Sequence, residues 1–142
     1  MKQVTVRQNI EDELRCIEYI LISGKGVKYQ NAKTCIYDTG ILLSNEITYN
    51  NITLTKFGIL YVHAGYQWNG PNIIPDSDSS MRGSLIHDAL CELLAMGLLQ
   101  KHHVKRMNDI FYDVCKADGM SEWLNKLHRL GLKTAWQGGA RL

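Results

Sequence analysis

Three residues on one predicted helix could do chemistry together: His87, Asp88 and Cys91, in "GSLIHDALCELL". Adjacent positions on a helix point about 100° apart. His87 and Asp88 can therefore share a metal ion only if it sits over the helix edge, as in helical phosphohydrolases of the HD type. That chemistry needs a further His and Asp, for which His63, Asp109 and Asp113 are the nominees. The β-rich first half of the chain suits such a fold poorly. A hydrolytic site built on His87 and Asp88, with or without a divalent cation, is the broader catalytic reading. His87 and Cys91 are four residues apart and share a face, the spacing of a thiol–imidazole dyad, which requires a stabilised thiolate. A non-catalytic reading competes with all of these. Asp88 would accept backbone hydrogen bonds from the "WNGPN" loop or pair with Arg82 or Arg106. His87 would donate to a loop carbonyl, so that the pair joins loop to helix.

The elements that must hold these residues divide near residue 75. Upstream, "QVTV", "CIEYILIS", "TCIYDTGILLS", "EITY", "ITLT" and "GILYVHAGY" are rich in β-branched and aromatic residues. The separators "GKG", "DTG", "NN" and "KFG" are turn chemistry, so a mostly antiparallel sheet is expected. Ile10, Leu14, Ile17 and Leu21 recur near helical spacing, and the first half of "NIEDELRCIEYIL" also reads as a short helix. Downstream, Leu85, Ala89 and Leu93 share one helical face, with Ile86, Leu90 and Leu94 beside it. Ser79 or Ser80 is the expected cap and Gly97 the stop. A second helix is expected over 102–117, carrying Val104, Met107, Phe111 and Val114 and ended by "ADG". Ser121 would cap a third, with Trp123, Leu124, Leu127 and Leu130, stopped by Gly131. The long loop 69–80 holds both prolines and joins the two halves; such loops often carry function.

Composition limits the function classes. The 142 residues suit one domain, mostly β over 1–75 and mostly α over 76–142. Hydrophobic residues make up 45%, enough for a core. A net charge of +2 gives no strong nucleic-acid or membrane-surface signal. The run "KHHVKR" at 101–106 is a local exception, with cations at the unfavourable end of a helix dipole. No apolar stretch reaches the roughly 18 residues of a membrane span. The early Lys2 is followed by no apolar core of a signal peptide. Synthesis in the cytosol is the expectation. Cys16, Cys35, Cys91 and Cys115 form no CxxC or close pair, which argues against a cysteine-based zinc site or a disulfide framework. Trp123 and Trp136 read as core or interface anchors.

An ordered series of motifs adds a resemblance: "GYQWNGPN" (65–72), "MRGSLIHDAL" (81–90), "KRMNDIFYDV" (105–114) and "DGMSEWLNKL" (118–127). Together they resemble a phage and prophage family of unknown function, domain of unknown function 1353 and its relatives. Members tend to carry GYxWDGPS, then RxSLxHDALY, then RxxADxxF. Gly65, Tyr66, Trp68, Gly70, Pro71, Arg82, Ser84, His87, Asp88 and Phe111 fit that pattern. Three positions depart: Asn69 and Asn108 stand where the family has Asp, and Cys91 where it has Tyr. The resemblance covers residues 50–131 well and the first 49 loosely.

Taken together, the chain is expected to be α+β, an N-terminal antiparallel β region packed on a C-terminal cluster of about three helices. The resemblance implies a phage-encoded accessory or virion- or tail-associated protein. It would act through contacts with other phage or host proteins, or with copies of itself, in the host cytoplasm or in the particle. The alternatives are a small hydrolase of cell-wall or nucleotide substrates using His87 and Asp88, and a host-directed inhibitor. The candidate binding residues are Tyr66, Trp68, Asn69, Pro71, Arg82 and Asn108. No resident cofactor or metal is assigned, a divalent metal at the His-Asp pair being the exception considered. The loss of two acids lowers the charge that would hold such an ion.

Overall fold

The computed structural model describes residues 3–6, 17–22, 28–70, 78–122 and 125–126. Two compact units divide the chain, Met1–Asn69 and Gly70–Leu142. Among the described residues the strands lie in the first and the two α-helices in the second, as expected of an α+β chain.

The described residues of the first unit form eight strands: β1 Gln3–Val6, β2 Ile17–Leu21, β3 Tyr29–Asn31, β4 Cys35–Asp38, β5 Ile47–Tyr49, β6 Ile52–Leu54, β7 Ile59–Val62 and β8 Gln67–Trp68. They form two antiparallel four-stranded sheets, ordered β1-β2-β3-β8 and β4-β7-β6-β5. Residues 17–21 are strand, so the helical spacing of Ile17 and Leu21 does not express itself there. The helix considered over the preceding residues lies outside the described ones.

Turn chemistry sets the register of the second sheet. β5 and β6 are joined by Asn50 and Asn51, both at positive φ (46° and 62°), the two-residue turn whose twist suits a hairpin. Between β6 and β7 the chain folds back through Gly58, at φ +94°. A Cβ there would stand 2.8 Å from the Ile41 carbonyl oxygen, so the loop following β4 demands glycine. Thr39 holds the same corner: its backbone N–H and its hydroxyl both donate to the Gly58 carbonyl, at 2.8 and 2.7 Å. Burial then alternates along the strands, with Ile52, Leu54, Leu60 and Val62 fully inside.

Asn31 ties the sheets together. It is the last residue of β3, and its buried side-chain amide donates to the Val62 carbonyl at the end of β7, at 2.9 Å. Its backbone N–H donates to Tyr66 at 2.8 Å and its carbonyl accepts from Gly65 at 2.7 Å.

The second unit is built on α1, Asp78–Ala95, and α2, Val104–Ala117, the latter preceded by a 3-10 turn at Lys101–His103. α1 starts at Asp78, so Ser79 and Ser80 lie inside it rather than capping it, and Ser80 is buried. Both C-termini close as the sequence predicts. After α1, Gly97 takes φ +74° and Leu98 N–H reaches back to Leu93 at 2.9 Å. After α2, Gly119 takes φ +96° and Met120 N–H reaches Cys115 at 2.9 Å. Each is the six-to-one bond of a glycine-terminated helix. Among the described residues there are two α-helices, not about three. Glu122, Asn125 and Lys126 have helical backbone and Asn125 N–H bonds Ser121 at 3.0 Å, but the rest of the third expected helix lies outside the described residues.

α1 is buried around almost its whole circumference; from Ser80 to Leu93 only Asp88 and Glu92 are half-buried. A helix that is apolar on nearly all sides belongs in a core. The small residue Gly83 lets α2 approach. A Cβ on it would sit 2.7 Å from Cys115 Sγ and 3.3 Å from both the Phe111 ring and the Phe111 carbonyl oxygen. Gly83→Ala therefore sets an overpacking cost of about 1–3 kcal/mol against the roughly 1 kcal/mol that Ala gains over Gly in a helix. The expected result is a net loss in urea unfolding, partly restored by adding Cys115→Ala. Strict additivity of the two changes would refute the contact.

Candidate functional site

The site grows from the facing surfaces of α1 and α2. His87 projects from the middle of α1 and is 3% exposed. Its Nε2 lies 2.8 Å from Asn108 Oδ1 on α2. An amide oxygen only accepts, so Nε2 carries the proton and donates. The other ring nitrogen, Nδ1, lies 3.5 Å from Cys91 Sγ, one helical turn along α1. With Nε2 protonated, a neutral ring offers Nδ1 as an acceptor for the Cys91 S–H. The Phe111 ring meets the imidazole edge-on, with centroids 5.5 Å apart. Cys91 is wholly buried. The chain Cys91–His87–Asn108 is thus a hydrogen-bonded relay within the helix interface.

Several expected partnerships resolve differently. His87 was expected to donate to a loop carbonyl; its ring donates to the Asn108 side chain on α2, and residues 71–77 of the loop lie outside the described ones. Arg82 was one of three expected partners of Asp88, beside the backbone of the "WNGPN" loop and Arg106. It makes instead a two-pronged ion pair with Asp118, Nε to Oδ2 at 2.9 Å and Nη2 to Oδ1 at 2.8 Å, with side chains 4% and 2% exposed. Planar guanidinium and planar carboxylate match each other prong for prong, which outcompetes a partner six residues along the same helix. Asp88 itself is half-buried, about 100° around α1 from His87.

The two aromatic binding candidates belong to the core of the first unit. Trp68 meets Tyr19 and Tyr29 at centroid distances of 5.8 and 5.4 Å, and Tyr19 meets Tyr29 edge-on at 5.4 Å. Tyr66 is buried beside them in sequence, whereas Asn69 is exposed. Pro71 lies outside the described residues. Two of the three nominated metal partners, His63 and Asp109, have other neighbours, and Asp113 lines a cleft in which His87 has no part. His63 Nε2 lies 3.0 Å from Thr53 Oγ1 and its ring stacks on Tyr61; Asp109 accepts from Lys105 at 2.8 Å. Among the described residues, no three His, Cys, Asp or Glu side chains converge as a ligand set.

Asp118 is the residue that sequence reasoning missed. In "ADG" it reads only as part of a helix stop, and its partner is 36 residues away. Its charge, together with burial, also governs Cys115, whose thiol is pushed up to about 12, burial acting most, Asp118 next, with Arg82 pulling the other way. That thiol stays protonated near neutrality and is no nucleophile. The basic run at 101–106 is exposed apart from His103 and Val104, which are half-buried, and the turn has no side-chain cap at its start. His103 is held below the ordinary imidazole value by burial and by the neighbouring His102, whose ring centroid lies 3.9 Å away. A cleft of about 230 Å³ opens between Tyr112, Asp113, Lys116, Glu122, Asn125 and Lys126, and His87 is not among its lining residues.

No described helix is long and apolar enough to cross a membrane. Comparisons with protein-family models, with curated proteins and with solved structures return no match for this chain.

Proposed function

We propose that this chain is a phage-encoded accessory protein that acts through contacts with other proteins, and that its His87 site is an internal joint rather than an acid–base centre. The observation that carries the second half is the state of the His87 ring. It is buried, its Nε2 proton is given to Asn108, and its Nδ1 faces the Cys91 thiol. A general acid or base must bring a free nitrogen within hydrogen-bond reach of a substrate. Here both nitrogens are committed to protein groups. The phage assignment rests on the ordered motifs from Gly65 to Leu127 and their likeness to the family of GYxWDGPS and RxSLxHDALY sequences. Two of the residues in the relay, Cys91 and Asn108, are among the three positions that depart from that pattern. Both exchanges leave a hydrogen-bonding group beside the imidazole, as a joint requires.

The structural role is tested by unfolding at neutral pH. His87→Gln and Asn108→Ala are each expected to lower stability by about 1–3 kcal/mol, the cost of stranding a buried polar partner. A catalytic His87 would give variants that melt like the parent. The accessory role is tested by quantitative mass spectrometry of purified particles produced from the encoding genome. A protein of the particle appears there at a fixed copy number; its absence removes the virion and tail assignments. Capture of a defined partner from infected cells then distinguishes an accessory protein from a host-directed inhibitor.

A further inference from the structure

We infer that Asn69 is a self-modifying site: in the folded chain its side-chain amide is lost to attack by the Gly70 nitrogen, leaving aspartate and isoaspartate just after β8. The chain holds one Asn-Gly dipeptide, Asn69–Gly70; its other asparagines precede Ile, Ala, Glu, Asn, Asp or Lys. Glycine has no Cβ, so nothing shields its backbone nitrogen from the side chain before it. Asn69 is exposed and directly follows Trp68, the last residue of β8, in neither strand nor helix. Among the described residues its side chain has no hydrogen-bond or ion-pair partner. Gly70 is buried, at φ +83°. The attack is intramolecular, so no reagent has to reach that nitrogen. Ammonia leaves from, and water reaches, the exposed Asn69 side.

The fold protects the comparable positions. Asn31 donates to the Val62 carbonyl at 2.9 Å, Asn125 donates to the Tyr112 carbonyl at 3.0 Å, and Asn108 accepts from His87 at 2.8 Å. Each of these bonds holds the amide away from the following nitrogen. Asp118–Gly119 offers the same unshielded glycine nitrogen. There the carboxylate is buried and clamped by Arg82 through two bonds of 2.9 and 2.8 Å. Asn69 alone combines a glycine next in sequence with an exposed amide that no such bond restrains.

The chemistry needs water and no other reagent. The Gly70 nitrogen bonds to Asn69 Cγ, and the Cγ–Nδ2 bond breaks. The leaving amide takes the Gly70 N–H proton and departs as ammonia, which leaves a five-membered cyclic imide. Water then adds to one of the two imide carbonyl carbons. Its hydroxyl stays on that carbon and its proton returns to the Gly70 nitrogen. Opening at Cγ gives aspartate in the original main chain. Opening at the Asn69 backbone carbon gives isoaspartate, in which the main chain runs through Cγ and is longer by one methylene. Either product carries a carboxylate, so the formal net charge of +2 falls by one. The extra methylene falls directly after Trp68, where the β3–β8 ladder ends.

The experiment incubates the full-length folded chain in mildly alkaline buffer, well below its melting temperature, and follows it by ion-exchange chromatography and tryptic mass mapping. A species more acidic by one charge is expected to accumulate. Fragment spectra of the peptide Phe57–Arg82 should place the change at Asn69 and not at Asn72. The product peptide should elute as two species of equal mass, aspartate and isoaspartate. Asn69 is expected to convert about ten times faster than any other asparagine, because its attacking nitrogen is unhindered and already tethered beside it. Asn69→Asp supplies the standard for the charge and for one of the two peptides. Asn69→Gln, whose longer side chain would need a larger ring, is expected to stop the acidic species from forming; Gly70 itself is left alone because its positive φ makes any side chain strained. A parallel incubation in urea gives the rate of the unfolded chain. An Asn69 that stays intact in the folded chain while it converts in urea overturns the inference. So does conversion of other asparagines at the same rate, or an acidic species that still forms in Asn69→Gln.

Discussion

Asp118→Ala is expected to cost about 3–5 kcal/mol in urea unfolding, enough to consume a large part of a small chain's stability. The reason lies in what is left behind. Arg82 and Asp118 are both almost fully buried and meet through two bonds of 2.9 and 2.8 Å. Their mutual attraction offsets the loss of hydration only while both are present. Removing the carboxylate strands a guanidinium inside the interface, and burial penalises that far more than the loss of an exposed pair, which is worth about 0–1 kcal/mol. The exposed Lys105–Asp109 pair provides an internal control: Asp109→Ala should change stability by less than about 1 kcal/mol. Replacing both partners together, as Arg82→Met with Asp118→Leu, should recover most of the loss, because no charge remains to be compensated. A loss under 1 kcal/mol for Asp118→Ala would mean that the pair is solvated in solution.

Phe111→Ala is expected to cost a similar amount, about 3–5 kcal/mol, through a different mechanism. Phe111 is 3% exposed and fills the space between α1 and its own helix. Its ring meets His87 at 5.5 Å and Tyr112 at 6.0 Å, and it belongs to a buried cluster with Tyr112, Cys115 and Met120. The decisive wall is Gly83, where the ring and the Phe111 carbonyl come within 3.3 Å of a hypothetical Cβ. That wall is helix backbone with no side chain to swing into a void. Cavities that cannot collapse are the costly ones, which places this site toward the top of the range. Phe111→Leu leaves a smaller cavity and should cost markedly less. Thermal or urea unfolding of both variants checks the ordering; equal costs would indicate that the interface repacks freely.

Periodicity and local chemistry were enough to place most of the elements. Alternation of β-branched and aromatic residues marks the strands from Ile17 to Val62, and the Asn50–Asn51 pair marks its hairpin, because these signals act within a few residues. Gly97 and Gly119 end their helices for the same local reason, since only a residue free to take positive φ closes the last carbonyls this way. The α+β division near residue 75 follows from the switch in hydrophobic period. What local signals could not settle is which strands share a sheet. That depends on long-range links such as Asn31 to Val62, 31 residues apart. Nor could they place the start of α1, where Ser79 and Ser80 look like caps but are enclosed by the helix.

The site was legible as a set of residues and illegible as a set of bonds. His87, Cys91 and Asn108 stand out by type and spacing, and the four-residue step from His87 to Cys91 is itself a helical contact. The partner at Asn108 is 21 residues away and Asp118 lies 36 from Arg82. No periodic pattern encodes which donor meets which acceptor across two helices. Trp68 and Tyr66 have the composition of a binding surface, yet Trp68 packs against Tyr19 and Tyr29 and both residues are buried. The sequence by itself determined most of the elements, the C-terminal ends of both α-helices and the inventory of groups able to hydrogen-bond or ionise. Only the tertiary structure decided that Arg82 meets Asp118, that His87 gives its proton to Asn108, and that its other nitrogen faces a buried thiol. Hydrogen bonds and ion pairs between helices are chosen by three-dimensional register, and that register is set by the close approach at Gly83 and Phe111.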